Sequence, residues 1–136
     1  MIARMGVVRR GSLIQDGRRH RLRRYLWSVL IMAETANLAD WISTLIGVGG
    51  LGKPELNPVA AALMRSFGVL WGTNLFKAMV ALELAGIAGA ALLLADRKAR
   101  TGVAWSWVLL GVLALAALAL CTITVYNLRA ILHAFS

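Results

Sequence analysis

Three long, mainly apolar runs limit what this chain can fold into: residues 25–48, 69–95 and 103 to about 128. Each exceeds the ~20 residues a helix needs to cross the ~30 Å hydrocarbon core of a bilayer. Inside that core the backbone finds no water to bond, so spanning segments of this length close their hydrogen bonds as helices. The balance of the chain agrees. It is 60% apolar and 15% charged over 136 residues, against ~45–50% and ~25% for soluble domains. The expected fold is an all-α integral membrane protein with three transmembrane helices, about 25–48, 69–95 and 103–132. They form a single transmembrane domain over residues 25–136. A soluble enzyme, a disordered chain and a disulfide-stapled secreted domain are excluded. The single cysteine, Cys121, sits in an apolar run as a small packing residue.

The segment between the first two runs carries Gly49, Gly50, Gly52 and Pro54, a loop composition. Asn57 followed by Pro58 then reads as an N-cap with proline at the first helical position. The helix it opens, about 57–67, would cover only ~15 Å, half the hydrocarbon thickness. A short re-entrant or interfacial helix is therefore expected there, not a fourth span.

Charge sets the expected orientation. Residues 1–24 hold eight arginines opposed only by Asp16. A basic block beside an apolar run marks the cytoplasmic side, so residues 1–24 read as a basic cytoplasmic arm. Three spans place eleven basic residues inside and three outside, against ten and four for four spans. Aromatic residues support three spans: Tyr25, Trp27, Trp105 and Trp107 fall at the inner interface, and Trp71 and Tyr126 at the outer one. The expected location is the cytoplasmic (inner) membrane, multi-pass, with the N-terminus in the cytoplasm. Anionic lipid headgroups are the expected partners of the arm. Nucleic acid is disfavoured, because the arm has no aromatic residue to stack on a base.

Polar residues inside the spans carry the functional information, since a charge at mid-bilayer costs at least ~2.5–3.5 kcal/mol. Glu34, Asn37, Asp40 and Thr44 recur at helical spacing and read as one stripe on the first helix. Asn74, Lys77 and Glu83 lie in the second run, and Thr122, Thr124, Asn127 and Arg129 in the third. With the first two helices antiparallel, Asp40 and Lys77 both lie eight residues from the outer end, about 12 Å deep. An Asp40–Lys77 ion pair is expected. Glu34 and Glu83 are matched in depth in the same way, fourteen residues from that end. Folded back, the loop would bring Glu55 and Asn57 over Asn37, Asp40 and Thr44 to line an outward-facing pocket. Those oxygen donors suit a hard cation such as Mg²⁺, Ca²⁺ or Na⁺, with Asp40, Glu55 and Asn57 as its ligands. No cofactor is otherwise evident. The same groups also serve to hold membrane helices together.

The pattern Asn37-x-x-Asp40-x-x-x-Thr44, a glycine-rich stretch, Glu55-x-Asn57-Pro58 and then Lys77 resembles a widespread family of small prokaryotic membrane proteins known only as a domain of unknown function. The resemblance covers residues 30–80 and leaves the Arg-rich arm outside it. It implies a multi-pass inner-membrane protein whose signature is this polar set, and it brings no reaction or substrate.

No catalytic motif is present: there is no His-Glu-x-x-His, no Gly-x-Ser-x-Gly and no strand-to-helix glycine loop. Ala81-x-x-x-Ala85-x-x-x-Gly89 offers a smooth face for close helix approach, and Gly68-x-x-x-Gly72 a weaker one at a helix start. The sequence favours a non-enzymatic accessory or scaffold protein, as a homo-oligomer or within a larger membrane complex. An oligomeric ion- or proton-coupled transporter or a ligand-binding membrane protein comes next, and a metal-dependent intramembrane enzyme third.

Overall fold

The structure, a computed structural model, describes the backbone of residues 2–96 and 100–135 and the side chains of 17–96 and 101–135. The Arg97–Lys98 loop expected on the cytoplasmic side lies outside the described residues, as do the side chains of Arg4, Arg9, Arg10 and Asp16 in the basic arm.

Every described element is helical. Helix α1 runs Ile2–Thr44 and passes into a π-helical turn, Leu45–Gly50. Helix α2 is Pro58–Phe67, α3 is Val69–Asp96 and α4 is Arg100–Phe135. Three stretches are long and apolar enough to cross a membrane: Gly17–Gly50, Val69–Asp96 and Thr101–Phe135. The chain is an all-α, multi-pass membrane protein. The sequence places the start of the first helix at Tyr25, whereas α1 begins at Ile2. Hydropathy marks where apolar solvent begins. Arginine and leucine favour helix on either side of that boundary.

Helices α1, α3 and α4 pack pairwise as a bundle, and α2 rests on α3. Contacts from Leu22 and Leu26 to Ala91 and Ala95 at one end, and from Trp41 to Asn74 at the other, make α1 and α3 antiparallel. The core is layered. Leu22, Leu26, Ala91, Ala95 and Leu110 form the first layer. Ala33, Leu84, Ala88, Leu113 and Ala117 form the next. Alanines on α3 let the neighbouring helices approach closely, which in lipid stands in for the absent hydrophobic drive. Ser106 Oγ, fully buried, donates to Ala91 O at 2.9 Å across the α3–α4 contact. Beyond the second layer the core turns polar.

Aromatic side chains mark two bands. Tyr25 and Trp107 lie with ring centroids 6.2 Å apart, beside exposed Trp27 and Trp105. Trp71 and Tyr126 are exposed at the opposite end. Trp107 and Tyr126 are separated along α4 by about 28 Å of helix rise, close to the ~30 Å hydrocarbon thickness.

Candidate functional site: a polar-floored cavity

Two glycines set the upper end of the bundle. Gly68 takes φ 80 between α2 and α3, and its carbonyl accepts from Gly72 N at 2.8 Å. Gly72 then lets α2 come against α3: a Cβ there would lie 2.5 Å from Met64 Cα and 2.6 Å from Leu63 C. The first turn of α2 is capped by Asn57, whose Oδ1 accepts from Val59 N at 3.0 Å and Ala60 N at 3.2 Å. Glu55 Oε1 in turn accepts from Asn57 N at 2.8 Å. The π-helical turn accommodates an extra residue at the end of α1, with Leu51 N donating to Ile46 O at 3.0 Å. Such turns recur beside functional sites.

These elements enclose a cavity of about 730 Å³ between the upper halves of α1, α3 and α4, with α2 and the 51–57 loop around its mouth. Its floor is the polar layer. Lys77 Nζ donates to Asp40 Oδ2, and Asn127 Nδ2 donates to Asp40 Oδ1 at 2.8 Å. Ser43 Oγ donates to Asp40 O at 3.0 Å. Thr124 Oγ1 donates to Leu120 O at 2.9 Å and lies 3.3 Å from Ala36 O, which ties α4 to α1. Asp40 and Lys77 side chains are only 6% and 10% exposed, so each depends on the other for charge balance. Lys77 Nζ also lies 5.5 Å from the centroid of the Phe76 ring. The walls are mainly apolar, including Met64, Val80, Leu120 and Ile131. At the mouth, Lys53 Nζ reaches across to Ala130 O on α4.

Of the residues that the sequence singles out, Asp40, Thr44, Glu55, Asn57, Lys77 and Asn127 all line this cavity. Asn37 does not. It lines a separate groove of about 360 Å³ on the other flank of the α1–α3 contact, with Glu34, Trp41 and Asn74. The expected single stripe on α1 is thus divided. Residues three apart on an α-helix drift by about 60° per step, so the set from Glu34 to Asp40 is wide enough to straddle α3. Asn37 marks the divide, with Nδ2 donating to Lys77 O at 3.3 Å. Glu34 and Glu83 share a depth and nothing else. Glu34 is half-buried in the groove, and Glu83 is exposed on the outside of α3.

The oxygens expected to ligate Mg²⁺ or Ca²⁺ already have donors. Asp40 uses both carboxylate oxygens, on Lys77 and Asn127. Glu55 and Asn57 are spent on capping α2. Among the described residues no three His, Cys, Asp or Glu side chains gather as a metal-holding group. Ser43 and Lys53 are parts of the site that the sequence reading missed. Ser43 follows Asp40 by three residues, a helical neighbour that the stripe already implied. Nothing local to Lys53 indicates that it reaches α4. Of the small-residue face, Ala85 is exposed, Gly89 is half-buried with nothing within 4 Å of a Cβ built there, and Ala81 lines the groove.

No family model matches this chain, and neither the curated proteins nor the solved structures contain a match to it.

Proposed function

We propose that this chain is a small protein of the prokaryotic inner membrane, with its N-terminus in the cytoplasm, that binds one neutral or zwitterionic amphiphile in the cavity above the Asp40–Lys77 pair. The observation that carries this reading is the cavity's construction: about 730 Å³, mainly apolar walls and a hydrogen-bonded polar floor. Ligand pockets occupy ~300–1,000 Å³ and combine apolar walls with a few placed polar groups. Filled with water alone, the space would hold on the order of 24 molecules at ~30 Å³ each, most of them against apolar wall. An amphiphile satisfies both surfaces.

The charge of the ligand follows from the lining. Asp40 and Glu55 balance Lys53 and Lys77, so a net charge on the head would find no counter-charge. The polar head is placed at Asp40, Lys77 and Asn127, and the apolar body against Met64, Leu120 and Ile131. In a bilayer Asp40 and Lys77 act as an intramembrane ion pair. The Arg-rich arm holds the cytoplasmic leaflet through anionic headgroups, each basic residue near the surface contributing about 1 kcal/mol. The proposed resemblance to a family of small prokaryotic membrane proteins is carried by the signature at Asn37, Asp40, Thr44, Glu55, Asn57, Pro58 and Lys77. The accessory-protein reading is the second one, supported by the small residues Ala85 and Gly89 on the outside of α3.

Native mass spectrometry on protein gently extracted from its own membrane tests this directly. One amphiphile per chain is expected. It should be lost from Ile123→Trp, which fills the cavity from a half-exposed wall position and spares the core. A chain with no bound amphiphile, or the same amount bound to the variant, contradicts the reading. A stoichiometric partner protein without a ligand favours the accessory role.

A further inference from the structure

The groove on the other flank of α1 and α3 is built differently from the cavity. Its polar groups are Glu34, Asn37, Trp41, Asn74 and Lys77. Three of the donors among them are already committed. Trp41 Nε1 donates to Asn74 Oδ1 at 2.8 Å, Asn37 Nδ2 donates to Lys77 O, and the Lys77 ammonium is turned away to Asp40 and Phe76, which belong to the cavity. The acceptors are not committed. The Glu34 carboxylate has no hydrogen-bond or ion-pair partner among the described residues. Asn37 is 5% exposed, and its Oδ1 is buried with no partner. Asn74 Oδ1 has a second lone pair left after accepting from Trp41. The groove thus holds a half-buried carboxylate and a buried amide oxygen, both without a donor.

We infer that this groove binds one small monovalent cation, with Glu34 supplying the charge and Asn37 Oδ1, about one turn along α1, supplying a neutral oxygen. The ligand set is all oxygen, which selects hard cations over zinc or copper. Its charge selects valence. One carboxylate neutralises an alkali ion, whereas a divalent ion would leave net positive charge in a low-dielectric groove beside Lys77. The Lys77 charge itself is offset by Asp40. Glu34 lies about 21 Å below the outer end and Asn74, nearer that end, about 7 Å. The site is separate from the amphiphile cavity, so it stands or falls without that reading. A proton on Glu34 is the competing occupant, because it would remove the charge and offer a donor to Asn37.

Equilibrium binding of radiolabelled sodium to the purified full chain in detergent, at fixed pH, separates the two occupants. The expected result is saturable uptake of one sodium per chain, displaced by unlabelled sodium or potassium. Uptake should weaken at least about tenfold in Glu34→Gln and in Asn37→Ala. It should be unchanged in Glu83→Gln, whose carboxyl lies outside the groove. Circular dichroism and elution volume check that each variant is folded. If Glu34→Gln does not fold, the wild-type chain still decides the matter: sodium affinity must fall as pH is lowered, with one proton competing for one ion. No saturable alkali-cation binding, or binding indifferent to both Glu34→Gln and pH, overturns the inference.

Discussion

Replacing Gly72 by alanine adds one methyl group where α2 and α3 touch, and the structure sets its cost. The new Cβ would sit 2.5 Å from Met64 Cα and 2.6 Å from Leu63 C. Carbon atoms in contact rest ~3.5–4.0 Å apart, so α2 must retreat by about 1 Å. The obstructing atoms are backbone, and no side-chain rotation relieves them. Helix α2 is also held at both ends, by the Asn57 cap and by Gly68 at φ 80. Overpacking of this kind costs ~1–3 kcal/mol. The retreat moves Ala60 and Met64, which line the cavity, so bound amphiphile should be lost together with stability. Gly86 is the control, because nothing lies within 4 Å of a Cβ built there. Gly86→Ala in mid-helix should gain about 0.5–1 kcal/mol. Unfolding of both variants in one detergent, followed by circular dichroism, gives the two shifts, which should have opposite sign. A Gly72→Ala protein as stable as wild type, with its ligand retained, would refute the α2 placement and the cavity that depends on it.

Four further substitutions test the rest of the arrangement. Asp40→Asn or Lys77→Met each removes one member of a buried pair and should cost about 3–5 kcal/mol; the double variant should cost clearly less than the sum, and additive losses in a denaturation cycle would show that the two side chains do not interact. Ser106→Ala removes the link to Ala91 O and should cost roughly 1 kcal/mol, near the upper range for membrane helix hydrogen bonds, read as a lowered midpoint in the same assay. Asn57→Ala leaves Val59 N and Ala60 N without their acceptor and should cost about 1 kcal/mol, with faster hydrogen exchange confined to the first turn of α2.

Much of this architecture was legible in the sequence, for identifiable reasons. Spanning helices are declared by length and hydropathy, because the bilayer sets both. Asn57-Pro58 announces the start of α2, since capping is a local event between residues two and three apart. The approach of Asp40 to Lys77 could be read from equal depth on antiparallel helices. What depth does not supply is azimuth. Glu34 and Glu83 lie at one level on different flanks, and the Glu34–Thr44 stripe is divided between cavity and groove by the position of α3. The sequence placed Glu55 and Asn57 at the cavity, where they lie, and left unread how Glu55 supports Asn57 in capping α2. Gly72 and Ser106 gain their roles from contacts made between helices. Composition alone made Gly72 one small residue among many.

The central claim is that an amphiphile occupies the cavity above Asp40, Lys77 and Asn127. An experimental structure of the protein, prepared with its native lipids and at a resolution that shows side chains, tests this most directly. Elongated density filling the cavity is predicted, with its polar end on Asn127 and the Asp40–Lys77 pair and its tail between Met64, Leu120 and Ile131. A cavity that has collapsed, or that holds only isolated water peaks on the floor, would contradict the account.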